Sequence, residues 1–112
     1  MKSLAFTAGI AAFLSLSPLA SPPAMAGCIA GVCTDHGAIP YPALYDLTCG
    51  DLWYLRNSAF ADNGLCFRTA RGRRVFGDRA CTYANPGDVP LSRAERINVS
   101  RIKEVERQRG CR

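Results

Sequence analysis

Residues 48–64 read TCGDLWYLRNSAFADNG, a pattern that predicts the first helix of the domain. Its apolar side chains recur at three- and four-residue steps, the spacing of one face of an α-helix. They are Leu52, Leu55, Ala59 and Phe60. Thr48 is a favourable N-cap with Asp51 in the first turn, and Gly64 has the place of a left-handed residue just beyond a helix. The stretch therefore predicts an amphipathic helix that ends at Gly64.

Two further helices are predicted downstream. Thr69 precedes a short helix that closes at Gly77. Ser92 opens the last helix with an S-x-x-E capping box, and Gly110 ends it. The apolar stripe of this helix consists of Ala94, Ile97, Ile102 and Val105. Since no stretch alternates as a strand does, the sequence predicts an all-α fold, a small three-helix domain.

Upstream of the first helix, glycine and proline interrupt any periodicity. These breakers are Gly27, Gly31, Gly37, Pro40 and Pro42. We therefore expect an irregular N-terminal arm over residues 27–43 and the helical domain over residues 44–112.

The first 26 residues have the three parts of a secretory signal peptide. Lys2 supplies the positive charge, residues 4–19 form a charge-free apolar run, and residues 24–26 (Ala-Met-Ala) form a cleavage site before Gly27. The uninterrupted run falls short of the roughly 20 residues that a membrane-spanning helix needs. We expect residues 1–26 to be removed and the mature protein, starting at Gly27, to be periplasmic or secreted.

Lipid attachment at Cys28 is the alternative, because small residues stand directly before this cysteine. Met25 occupies the position where a bacterial lipoprotein usually has Leu. Lipidation would also consume one of six cysteines and leave an odd number. We favour cleavage after Ala26.

All six cysteines lie after the signal peptide, and an even cysteine count in a short exported chain predicts a disulfide framework. Antiparallel packing of the first and last helices would join Cys49 to Cys111, and Cys66 and Cys81 bracket the short helix. In the chain-entropy model these bonds contribute about 4 and about 3 kcal/mol, respectively. Cys28–Cys33 is the third and weaker prediction. Six cysteines allow 15 connectivities, so other pairings stay open.

No metal site and no cofactor is expected. Thiolates also bind zinc, but the chain has no C-x-x-C motif and His36 is its single histidine.

The segment LRNSAFADNG at residues 55–64, followed by Leu-Cys-Phe at residues 65–67, resembles the YARHG domain, a small module of exported bacterial proteins. Residues 75–77 and 81–83 are similar to its F…WY segment, and residues from 91 onward to its closing helix. The cysteines from Cys49 to Cys111 resemble a disulfide-bearing proteobacterial version. The resemblance implies an extracytoplasmic location and a ligand-binding role.

This chain departs from the family at the motif that gives the family its name. Asp62 and Asn63 stand where the name has Arg-His. A role that rests on that histidine is therefore not carried over.

Asp35 and His36 form the single Asp-His pair. Catalysis would need a nucleophile placed against this base, and the sequence has no Gly-x-Ser-x-Gly motif and no free thiol is expected. We interpret the pair as surface residues and expect no enzymatic activity.

Two groups of residues are candidates for binding. Arg56 and Asn57 lie at the centre of the family resemblance; they either line a ligand groove or, the interpretation we favour, pair with a carboxylate and a loop backbone. Five arginines fall within twelve residues and raise the local positive potential. They are Arg68, Arg71, Arg73, Arg74 and Arg79. Trp53 and Tyr54 belong to the core or form a stacking platform.

The net charge is +5, and Lys2 and Lys103 are the two lysines, so the positive charge is almost entirely arginine. Arginine favours bidentate contacts with carboxylates and phosphates. The sequence thus predicts an exported, non-catalytic module that binds an anionic cell-envelope component or an envelope protein. The alternatives are an inhibitor-like, toxin-like or other protein-interaction domain, and a small envelope hydrolase. No nucleic-acid motif is present.

Overall fold

The computed structural model describes Ser3, Ala5 and residues 9–12, 27–77 and 79–112. The predicted signal peptide, with its cleavage site at residues 24–26, lies mostly outside the described residues. Within the described part of the chain, no helix has both the length and the apolarity needed to cross a membrane.

Among the residues that the structure describes, four α-helices follow a two-stranded hairpin. The hairpin consists of β1 (Cys28–Ile29) and β2 (Val32–Cys33), which pair antiparallel. The helices are α1 (Tyr41–Tyr45), α2 (Cys49–Asp62), α3 (Ala70–Phe76) and α4 (Arg93–Gln108). A single 3-10 turn at Pro86–Asp88 lies between α3 and α4.

Helix α2 follows its predicted course. Asp51 N donates to Thr48 Oγ1 at 3.1 Å, and Thr48 N donates to Asp51 Oδ2 at 3.4 Å, which completes a capping box. Asn63 is the C-cap, and Gly64 follows it with a φ of +96°. A positive φ is open to glycine at little cost, so Gly64 ends the helix as expected.

Helices α3 and α4 also begin at the predicted caps. Gly72 N donates to Thr69 Oγ1, and Ser92 and Glu95 form the second capping box. The predicted stripe of α4 is wrong at Ile97, which is 36% exposed. The buried residues of α4 are Glu95, Asn98, Val99, Ile102 and Val105. A prediction from hydrophobicity alone misses this buried face, because two of its residues, Glu95 and Asn98, are polar.

The predicted all-α fold, with three helices and an irregular arm, needs one correction. The N-terminal part forms the small β-hairpin and the additional helix α1. Ala30 and Gly31 both have positive φ, 49° and 79°, and this geometry turns the chain tightly enough to pair Cys28 with Cys33 across the hairpin. Helix α1 starts directly after Pro40, with proline in its first turn, where a fixed φ favours helix initiation. Both elements are too short to leave a periodic pattern in the sequence.

Asn98 of α4 binds the arm to the helices. Its Oδ1 accepts Ile39 N at 2.8 Å, and its Nδ2 donates to Thr34 O at 2.8 Å and Gly37 O at 2.7 Å. The Asn98 side chain is fully buried. These bonds satisfy backbone groups of a segment that has no sheet or helix partners of its own.

Two hydrophobic clusters form the core, mainly between α2 and α4. The first is Ile39, Leu44, Leu47, Leu52, Leu55, Ile102 and Val105. The second is Ala59, Phe60, Leu65, Val89 and Val99. The first cluster includes residues of the arm and α1, so these elements belong to the packed core.

The six cysteines form three disulfides, in the pairs that the sequence favours. Cys49 at the start of α2 is bonded to Cys111 just beyond α4, across 62 residues. Cys66 is bonded to Cys81, and Cys28 to Cys33. The first bond fixes α2 antiparallel to α4, and the second holds α3 in a closed loop.

Candidate functional site

A cleft of about 300 Å³ lies between the middle of α2, the segment that follows it and the turn before α4. Its lining residues are Trp53, Arg56, Asn57, Leu65, Cys66, Phe67, Arg68, Thr69, Ala84, Asn85 and Pro86. The cleft combines two guanidinium groups with aromatic and aliphatic walls. Apolar walls with a few convergent polar groups are typical of ligand sites.

Backbone hydrogen bonds hold the two loop walls of the cleft together. Thr82 N and Tyr83 N donate to Gly64 O at 2.8 and 2.9 Å, and Cys66 N donates to Tyr83 O at 2.7 Å. The Cys66–Cys81 disulfide closes the same pair of segments. The cleft is therefore built from a rigid part of the domain.

Arg56 is positioned by a carboxylate, as the structural interpretation of the sequence expected. Its Nε donates to Glu106 Oε1 at 2.6 Å and its Nη2 to Glu106 Oε2 at 3.1 Å. Both side chains are mostly buried, 23% and 14% exposed. Arginine has five N–H donors, so this pair orients the guanidinium while it still lines the cleft.

Asn57 lines the cleft as well. Its Nδ2 donates to Trp53 O at 2.9 Å, one turn earlier in α2. Among the described residues, the side chain of Asn57 therefore bonds to its own helix and not, as expected, to a loop backbone. Arg56 and Asn57 thus fit both the structural and the ligand-groove interpretation. Each has a hydrogen-bond partner within the domain, and both line the same cleft.

Arg68 brings positive charge to the other side of the cleft. Its Nη2 donates to Asn85 Oδ1 at 3.3 Å. Because this partner is a neutral amide, the contact orients the guanidinium without cancelling its charge.

An aromatic cluster supports the wall of the cleft near α3. Phe76 is its centre, with ring centroids 4.9 Å from Phe67, 5.4 Å from Tyr54 and 5.9 Å from Trp53. Arg71 lies over the Trp53 ring, with Cζ 3.7 Å from the centroid. Trp53 and Tyr54 thus both pack on Phe76, and Trp53 also lines the cleft.

The structure does not bring the whole arginine cluster into one site. Arg71 stacks on Trp53, and Arg73 Nε donates to Phe67 O at 3.3 Å. Arg79 forms an ion pair with Asp62. Arg74 lies in the last turn of α3 and is exposed. Of the five, Arg68 alone is among the residues that line the cleft.

Gly72 is a supporting residue that the sequence analysis did not single out. A Cβ at this position would lie 2.6 Å from Phe67 Cδ1 and 2.9 Å from Thr69 Oγ1. Phe67, Asn85 and Pro86 were likewise not candidates. The turn signal Asn-Pro-Gly at residues 85–87 and the position of Phe67 just after the Gly64 helix end were the available indications.

Asp35 and His36 are not among the residues that line the cleft. His36 Nε2 is 3.4 Å from Asp35 Oδ1, and the side chains are 59% and 55% exposed. Asp35 also lies close to the sulfurs of Cys28 and Cys33, a grouping that could suggest a metal site. The two sulfurs are bonded to each other, so they are not available as thiolate ligands.

A family model described as YARHG domain matches residues 32–107. No curated protein and no solved structure matches the chain significantly. Because the match covers most of the sequence, the chain belongs to the YARHG domain family. Family membership and three disulfides indicate an extracellular or periplasmic protein.

Proposed function

We propose that this member of the YARHG domain family is an exported, non-catalytic binding module, and that its cleft recognises an anionic group on a component of the cell envelope. The observation that carries the proposal is the convergence of Arg56, Asn57 and Arg68 beside the indole of Trp53. These residues come from two segments of the chain, and two of them lie at the centre of the family motif.

The chemistry of the cleft favours a carboxylate or phosphate ligand. Guanidinium groups bind both through paired, charge-assisted hydrogen bonds. Arg56 is preorganised by Glu106, and Arg68 by a neutral amide, so little side-chain freedom would be lost on binding. The Trp53 and Phe67 walls provide apolar area for the remainder of the ligand.

The exposed arginines of α3 support the same function from outside the cleft. Arg74 and its neighbour Arg73 lie on a helix that a disulfide loop holds beside the cleft. Such exposed charges attract an anionic ligand over a Debye length of about 8 Å at physiological ionic strength. They would raise the rate of association more than the affinity.

Export and the absence of catalysis are part of the proposal. The signal-like N-terminus and the disulfides support export, with cleavage after Ala26. The exposed position of Asp35 and His36, which do not line the cleft, supports binding without turnover.

The main alternative is a protein-interaction module that buries an apolar patch. Val75 on α3 is 44% exposed and directly precedes Phe76 of the aromatic cluster in the chain, which gives this alternative a specific surface. Apolar association depends weakly on salt, whereas contacts of arginine with anions weaken as salt screens them.

A pull-down from envelope extract at low and high salt separates these alternatives. The proposal expects capture that is lost at high salt and reduced by Arg68→Ser. Capture that persists at high salt, and that also persists in a variant with both Arg71→Ser and Arg74→Ser, would contradict the proposal. If Val75→Ser then abolished this capture, the result would support the apolar surface.

A further inference from the structure

Gly27 lies in a small polar site formed by the hairpin and α2. A substituent built on its Cα in the Cβ direction would lie 2.8 Å from Thr34 Oγ1, 3.4 Å from Asp62 Oδ2 and 4.0 Å from Ser58 Oγ. A methyl group there would be too close to Thr34 and would gain no polar partner. A nitrogen at 2.8 Å from a hydroxyl oxygen is at hydrogen-bonding distance.

From this geometry we infer that the site binds the α-ammonium group of Gly27 itself, once cleavage after Ala26 has made Gly27 the N-terminus. The inference rests on the proposed export and cleavage, and not on the anionic ligand of the cleft. In an N-terminal glycine, rotation about the Cα–C bond moves only the amino group. The amino group can therefore occupy the position that faces the three oxygens.

The carbonyl group of Gly27 is already fixed in the required place. Thr34 N donates to Gly27 O at 3.0 Å, and Thr34 Oγ1 donates to the same oxygen at 3.4 Å. These bonds hold the Cα of Gly27 against α2 while the amino group turns. Thr34 is buried, at 1% exposed, so the site has a defined wall.

All three oxygens have lone pairs that remain open to a donor. Thr34 Oγ1 and Ser58 Oγ each donate their single hydrogen to a carbonyl, Ser58 to Leu55 O at 2.8 Å, and keep lone pairs to accept. Arg79 donates to Asp62 Oδ1, whereas Asp62 Oδ2 faces Gly27. An ammonium group has three donors, enough to bind Thr34 Oγ1 and Asp62 Oδ2, while Ser58 Oγ at 4.0 Å lies beyond hydrogen-bonding distance and contributes a polar wall.

The surroundings of Asp62 disfavour its charged form. Burial raises the pKa of its carboxyl group, and the nearby Glu95 and Asp35 raise it further, although the hydrogen bond from Arg79 acts in the opposite direction. An ammonium group at Gly27 would supply a second cation.

The reactivity of the Gly27 amine tests this inference. The full chain is exported from a bacterial host, the product is purified, and its N-terminus is determined by mass spectrometry. A product that starts at Gly27 carries only two amines, the α-amine and the ε-amine of Lys103. Trace acetylation at pH 7 then gives the Gly27 rate, with Lys103 as the internal reference.

We expect the α-amine to react about five- to tenfold more slowly than in an Asp62→Asn variant, because a pKa raised by one unit leaves a tenth of the free amine. Arg79→Gln is the control: it keeps the carboxylate, so protection should persist. Equal rates in the wild type and Asp62→Asn would overturn the inference alone. A product starting at another residue would overturn the proposed cleavage and this inference with it, and leave the cleft to be judged by binding.

Discussion

Arg56 of α2 binds Glu106 of α4 through two hydrogen bonds, 2.6 Å from Nε to Oε1 and 3.1 Å from Nη2 to Oε2. This pair links the two helices that form the core, and it also aims the Arg56 guanidinium at the cleft. A single ion pair thus contributes both to the packing of the helices and to the geometry of the proposed binding site.

Glu106→Gln should destabilise the domain by about 1.5–3 kcal/mol, because it leaves the mostly buried guanidinium without its charged partner. Denaturant unfolding measures the change. A double-mutant cycle with Arg56→Gln should show coupling, since the two side chains are in direct contact. Strictly additive effects of the two substitutions would contradict a stabilising pair.

Asn98→Ala should cost about 2–4 kcal/mol, because it leaves one N–H and two carbonyls of the arm without partners. Amide hydrogen exchange at Ile39 should accelerate more than exchange within α2. Asn57→Ala is the matched control, since it loses one bond to its own helix and should cost much less. Similar losses in the two variants would mean that the arm is not held by Asn98.

The role of Asn98 also shows the limit of the sequence analysis. Capping boxes and helix ends are local signals, so α2, α3 and α4 began where Thr48, Thr69 and Ser92 predicted. Asn98 binds residues about 60 positions away in the chain, and no local pattern reports such a contact. For the same reason the sequence predicts the wrong buried face for α4, because it places Ile97 in the core and leaves Asn98 out.

The candidate site was predicted in part. Arg56, Asn57 and Arg68 do line one cleft, but the remaining arginines do not. The spacing of five arginines within twelve residues could not show that Arg71 would stack on Trp53 or that Arg79 would pair with Asp62. The wall formed by Asn85 and Pro86 depends on the Cys66–Cys81 loop and the bonds around Gly64, which are set by tertiary structure.

Gly72→Ala should destabilise the domain by about 1–3 kcal/mol through overpacking, and it should weaken ligand capture because it displaces Phe67 from the cleft wall. Gly50→Ala is the control within a helix, because a Cβ there has only Thr48 Oγ1 nearby, at 3.8 Å. It should leave stability unchanged or raise it by about 0.5–1 kcal/mol. Thermal unfolding compares the two, and equal behaviour would refute the close packing at Gly72.

The Asp62 carboxyl group should make stability depend on pH. Its pKa is raised in the folded state, chiefly by burial, so the folded state holds the proton more tightly than the unfolded state. Ionisation of this buried carboxyl group lowers the free energy of unfolding. This loss is absent below the ordinary Asp pKa and develops as the pH rises through the raised pKa of the folded state. The charged groups around it are Arg79, Glu95 and Asp35.

The stability difference between the wild type and Asp62→Asn isolates this contribution, since all other carboxyl groups are common to both. With the Gly27 amine acetylated, the wild type should lose stability relative to the variant over that pH window. The loss should be smaller when the amine is free, because the inferred ammonium group then compensates the carboxylate. A difference that is flat with pH in the acetylated protein would contradict the raised pKa.

The most direct test of the proposed anion-binding cleft uses Trp53, the single tryptophan of the chain and part of the cleft wall. The mature protein is titrated with polyphosphate and, separately, with poly-glutamate, and Trp53 fluorescence is followed at low and high salt. Arg68→Gln and Arg74→Gln remove the same charge, the first inside the cleft and the second outside it. We predict a saturable change that salt reverses, weakened about tenfold by Arg68→Gln, equivalent to about 1.4 kcal/mol, and little affected by Arg74→Gln. Equal weakening by the two substitutions, or no saturable change with either polyanion, would contradict recognition in the cleft.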